Sequence, residues 1–117
     1  MAGLTTHILD LMHGIPAANV LVQLSRLEES GATVIRSAKT NQDGRINEPL
    51  LSEQEMHIGE YELLFYIGDY FRGKDVSLPE PAFLDKVSIR FGISEEGAHY
   101  HVPLLVSPWG YQVYRGS

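Results

Sequence analysis

Three histidines fall in or beside strand-like segments of this chain, His7, His99 and His101. His99 and His101 are two residues apart, a spacing that puts both rings on one face of an extended strand, opposite Tyr100, Val102 and Leu104. An imidazole with a pKa near 6.5 takes and gives protons around neutral pH, which is the requirement for activating water. Arg45 comes directly after an Asp43-Gly44 turn, and its planar fork suits carbonyls and anionic ring oxygens of a small substrate. The chain ends Tyr114-Arg115-Gly116-Ser117 behind the apolar run Val102–Val106 and the aromatic segment Trp109–Val113. A terminus is ordinarily a frayed tail. One tied to a strand instead places a hydroxyl, a guanidinium and a carboxylate at a fixed point.

Each residue also has an ordinary reading. A lone strand histidine is commonly a solvated or structurally bonded ring, and an arginine after a tight turn is commonly solvated. His13 and His57 read as surface residues of a turn and a loop; Asp10 and Asp43 could orient or cap, but nothing singles them out. A zinc site built on the His99-x-His101 pair lacks a third ligand by motif, since neither HExxH nor a cysteine pair is present. Ser117 has no Gly-x-Ser-x-Gly context, so it is not an elbow nucleophile.

The elements that must position these groups have the rhythm of short strands between turns. Leu4–Asp10 alternates Leu4, Thr6 and Ile8 against Thr5, His7 and Leu9; Gly14-Ile15-Pro16 breaks it. Val20–Leu27 and Ala32–Thr40 follow, separated by a Glu28–Gly31 turn. Asn41-Gln42-Asp43-Gly44 is a strong turn signal, because Asp-Gly tolerates the positive φ of a tight reversal. Gly59–Ile67 carries Tyr61, Leu63, Phe65 and Ile67 on one face, and Gly68–Lys74 is a short helical turn beginning at Asp69. Asp85–Ile93, Ala98–Ser107 and Trp109–Tyr114 complete the series. Seven or eight strands with almost no helix predict an all-β, antiparallel β-sandwich. Pro103, inside a strand, points to an edge or an irregular stretch.

The 117 residues fit one domain, residues 1–117, with a hydrophobic fraction of 44% to fill its core. Nine basic and 15 acidic residues leave a net charge of −6, which argues against nucleic acid or an anionic membrane as partner. The absence of cysteine excludes a disulfide framework and a thiolate nucleophile. Met1–His7 shows no signal-peptide pattern and no apolar run is long enough to span a bilayer, so a soluble cytoplasmic protein is expected.

Three segments together resemble a known family. They are Leu4-Thr5-Thr6-His7-Ile8-Leu9-Asp10 followed by Gly14-Ile15-Pro16-Ala17-Ala18; Thr40-Asn41-Gln42-Asp43-Gly44-Arg45; and His99-Tyr100-His101-Val102-Pro103-Leu104-Leu105-Val106-Ser107-Pro108 running into Tyr114-Arg115-Gly116-Ser117. The chain resembles the 5-hydroxyisourate hydrolases, the transthyretin-related proteins of purine breakdown, over essentially its whole length. The resemblance implies a transthyretin-like sandwich of two four-stranded sheets with one short helix, assembled as a homotetramer with active sites in clefts between dimers. It places catalytic roles on His7, Arg45, His101 and Ser117, and substrate binding on Arg45, Tyr114, Arg115, Gly116 and Ser117. His99 is a neighbour of the catalytic histidine in this pattern. The implied reaction opens the ring of the small molecule 5-hydroxyisourate by hydrolysing its N1–C6 amide, with no metal or organic cofactor. A non-catalytic carrier of small aromatic hormones shares the fold and the Ser107-Pro108 region, but lacks the histidine pair and the Tyr-Arg-Gly-Ser end.

Overall fold

The structure, a computed structural model, describes residues 2–116. It holds eight strands: β1 (Gly3–Asp10), β2 (Ile15–Pro16), β3 (Leu21–Glu28), β4 (Gly31–Lys39), β5 (Gly59–Phe65), β6 (Val87–Ile93), β7 (His99–Ser107) and β8 (Gly110–Val113). One helix, α1 (Ile67–Gly73), lies between β5 and β6. The strands form two four-stranded sheets, ordered β2-β1-β7-β8 and β4-β3-β5-β6. This is the expected sandwich of two sheets with one short helix.

Period-two alternation is what closes it. Leu4, Thr6 and Ile8 of β1 and Tyr100, Val102 and Leu104 of β7 point inward and are buried, as do Val22 and Leu24 of β3 and Tyr61, Leu63 and Phe65 of β5. Each fully buried aliphatic or aromatic side chain of this kind contributes roughly 1.5–3 kcal/mol. The alternate residues of β1 and β7, Thr5, His7, Leu9, His101 and Leu105, are only half-buried and form the outer face of their sheet.

Three local expectations change. The β1–β7 pair is parallel, in register from Gly3 opposite His99 to Asp10 opposite Val106, whereas every other strand pair is antiparallel. No hairpin constrains it, because the whole second sheet intervenes between these strands in sequence. Ile15–Pro16 is not merely a break but a two-residue strand, folded back so that Leu9 faces Pro16 and Asp10 faces Ile15. The helix begins at Ile67, ahead of Asp69, and Ile67 goes into the core from the helix rather than from β5. A buried carboxylate anchors this helix: Tyr70 donates to Asp10 Oδ2 at 2.7 Å.

Pro103 does not mark a sheet edge, since β7 lies between β1 and β8. Leu104 faces Val113, and His101 faces Gly116 in the same register, which sets Pro103 opposite Tyr114. Proline has no N–H to give there. Strand β8 accordingly ends at Val113, and pairing resumes only where the Gly116 N–H donates to the His101 carbonyl at 2.7 Å.

Candidate active site

His7 stands at the middle of β1, whose free edge is crossed by the segment after β4. Gly44 makes that crossing possible. It has φ +74°, and a Cβ there would collide with the Ile8 carbonyl. The same glycine accepts the Ile8 N–H at 2.9 Å. Asn41 clamps the turn: its Oδ1 accepts the N–H groups of Asp43 at 2.9 Å and Arg45 at 3.1 Å, and its own N–H donates to the Arg45 carbonyl at 2.7 Å. Arg45 is thereby set directly across from His7 in an antiparallel bridge. The Asp-Gly signal in the sequence is the device that delivers the guanidinium.

His101 arrives from the other side of β1. The parallel register puts it opposite Thr5, and Thr5 Oγ1 lies 2.8 Å from His101 Nδ1 and 3.2 Å from His99 Nε2. His7, Arg45 and His101 are close enough to shape one another's charge. Burial and then the Arg45 guanidinium hold the His7 imidazole below its ordinary value, with the Asp43 main chain and carboxylate pulling the other way. Burial, then Arg45, His7 and His99, depress His101. A cation beside each ring and loss of water both disfavour a second proton, so both imidazoles are neutral near pH 7. Neutral rings can accept a proton or donate one hydrogen bond, and the adjacent cation suits a developing oxyanion.

The terminal segment divides. Gly116 pairs with His101, and a Cβ at Gly116 would stand 2.9 Å from His101 Cδ2, so only glycine lets the chain end lie against that ring. Tyr114, opposite Pro103 by register, is exposed on the outer side. Arg115 turns to the inner side: its guanidinium carbon sits 4.0 Å from the centroid of the Tyr100 ring and Nη2 donates to the His99 carbonyl at 3.3 Å. Both contacts tie the chain end to β7. Ser117 lies outside the described residues.

Thr5 escaped the sequence reading, and Asp10 was seen only as a residue that could orient or cap. Thr5 links His99 and His101, a contact that depends on the parallel β1–β7 register and has no local signature. Asp10, fully buried, accepts the N–H groups of Met12 and His13, the His13 ring at 2.6 Å and the Tyr70 hydroxyl. Burial alone would raise its pKa, but these donors outweigh burial and lower it. Its position directly before the turn at residues 11–14 was the available sign of a cap. Among the described residues, no three His, Asp or Glu side chains converge as a metal cage.

Comparison with known proteins places this geometry. Residues 4–116 match the model of the HIUase/Transthyretin family. A 5-hydroxyisourate hydrolase of Ralstonia nicotianae is 50% identical over 117 residues, covering 100% of both chains. One from Mesorhizobium japonicum is 55% identical over 114 residues, 97% of this chain and 91% of that protein. Among solved structures, (S)-allantoin synthase superposes with a TM-score of 0.92 at 42% identity, over 99% of this chain but only 44% of that longer one. The family match over nearly the whole chain and the full-length identity to these relatives agree: the chain belongs to the HIUase/Transthyretin family.

Proposed function

We propose that this protein is a hydrolase that opens 5-hydroxyisourate at the N1–C6 amide, giving 2-oxo-4-hydroxy-4-carboxy-5-ureidoimidazoline in urate degradation. The observation that carries the reading is the convergence of two neutral imidazoles and one guanidinium on a single sheet face. It occurs in a chain half-identical, end to end, to a 5-hydroxyisourate hydrolase. Hydrolysis needs a proton removed from water and charge stabilised on the attacked carbonyl oxygen. His7 or His101 activates the water. Arg45 grips the planar substrate and stabilises the oxyanion. Ser117 positions water or substrate, and Tyr114, Arg115 and Gly116 of the terminal motif shape the cleft and bind substrate with Arg45. Imidazole and guanidinium supply the chemistry, so no cofactor is invoked.

The working form is a homotetramer of one-domain chains, residues 1–117, in the cytoplasm. Supporting this, β6 and β8 are both terminal strands of their sheets, with edges available to a second copy. The histidine cluster occupies an outer face flanked by half-buried Leu9 and Leu105, a surface that a second dimer would roof. No helix of the described residues is long and apolar enough to cross a membrane.

The test is the ultraviolet decay of 5-hydroxyisourate freshly made by urate oxidase. Catalytic amounts of the protein are expected to hasten the decay. Stoichiometric binding with an unaltered decay rate would instead make the protein a carrier.

A further inference from the structure

The contact of one threonine hydroxyl with two imidazoles carries information about protons. A hydroxyl has one hydrogen and two lone pairs, so between two ring nitrogens it can donate to one and accept from the other. Hydroxyl donors make the shorter bonds and ring N–H donors the longer ones. Thr5 Oγ1 is 2.8 Å from His101 Nδ1 and 3.2 Å from His99 Nε2. This order of lengths favours one direction for the chain, with His99 Nε2–H donating to Thr5 Oγ1 and the Thr5 hydroxyl donating to His101 Nδ1. With Nδ1 accepting, the single proton of neutral His101 sits on Nε2. A ring in that state offers a hydrogen bond and has no bare nitrogen for taking a proton from water. Among the described residues, His7 has no such hydroxyl partner and faces Arg45 and Asp43 instead.

We propose that His99 and Thr5 are positioning residues that fix His101 as the Nε2–H tautomer, a neutral donor to the carbonyl under attack, leaving His7 as the base. This assignment rests on the hydrolase reading above. In it, His7 takes one proton from water as the water oxygen bonds to C6. His101 and Arg45 stabilise the oxygen of that carbonyl. The C6–N1 bond then breaks and His7 returns its proton to N1, which becomes the terminal nitrogen of the ureido group. The second water proton remains on the new carboxyl and is lost to solvent when it ionises. Among the described residues, Arg45, His7 and His99 are the charged or titratable groups that act on His101, and each opposes a second proton on that ring.

Three measurements test this together. Nitrogen-15 NMR of the wild-type protein above pH 7 is expected to show His101 protonated on Nε2 and bare on Nδ1. Thr5→Val is expected to lower kcat by roughly tenfold with KM nearly kept, and Thr5→Ser to restore it. His101→Gln, which keeps an N–H donor but cannot accept a proton, is expected to lose about tenfold and keep the acidic limb of the pH profile. His7→Gln is expected to lose roughly a hundredfold or more and to abolish that limb. An Nδ1–H tautomer at His101, wild-type kcat in Thr5→Val, or the reverse ranking of the two glutamine variants would overturn the assignment. A wild-type protein without turnover would sink the hydrolase reading instead, and the NMR tautomer would still decide the hydrogen-bond chain.

Discussion

His7 and His101 are tuned in the same direction by the same forces, burial first and the Arg45 guanidinium second. Because each folded value lies below 6.5, both rings stay neutral further into acid than free imidazole does. The acidic limb of kcat/KM is therefore expected below pH 6.5, and moving it to 6.5 or above would contradict the tuning. Stability has a matching sign. Below 6.5 the unfolded chain binds protons that the folded rings refuse, so stability rises with pH from the folded values up through 6.5. The histidines were legible in the sequence because alternation along Leu4–Asp10 and Ala98–Ser107 assigns each ring a face without any knowledge of neighbours. Thr5 was not, although it shares a face with His7, because its partners belong to a strand more than ninety residues away. The direction of Arg115 was equally hidden: only the register of the chain end with β7 turns it inward toward Tyr100.

The turn before Arg45 is the element on which the site most depends. Gly44 combines a left-handed backbone with direct packing against the Ile8 carbonyl. Gly44→Ala is expected to cost about 1–3 kcal/mol of unfolding free energy in a urea titration and to depress turnover by displacing Arg45 from His7. Gly73, at the end of α1 with open space around its Cα, is the control, and Gly73→Ala should be neutral or mildly stabilising. Equal behaviour of the two variants would mean that the turn does not position the arginine. The strands were readable because period-two burial and Gly-rich turns are local signals. The parallel β1–β7 pairing, the miniature β2 and the place of Pro103 were not, because each depends on which strand lies alongside. The same holds for Asp10, whose carboxylate ties the β1–β2 turn to α1 through Tyr70.

For the whole molecule, the proposed tetramer would use the edge strands β6 and β8 and cover the open histidine face, making assembly part of the site. Sedimentation of the purified protein is expected to give a particle of four chains of 13.1 kDa, and active protein that sediments as a monomer would contradict the shared cleft. Composition argued against nucleic acid and left a small substrate open, whereas the tetramer is an expectation from the family resemblance alone. The most direct test of the site itself is the turnover of freshly generated 5-hydroxyisourate by wild-type protein, His7→Ala, His101→Ala and the double variant. Each single variant is expected to lose about two to four orders of magnitude in rate, with the double variant little worse than either. Near wild-type turnover in both single variants would show that the catalytic groups lie elsewhere.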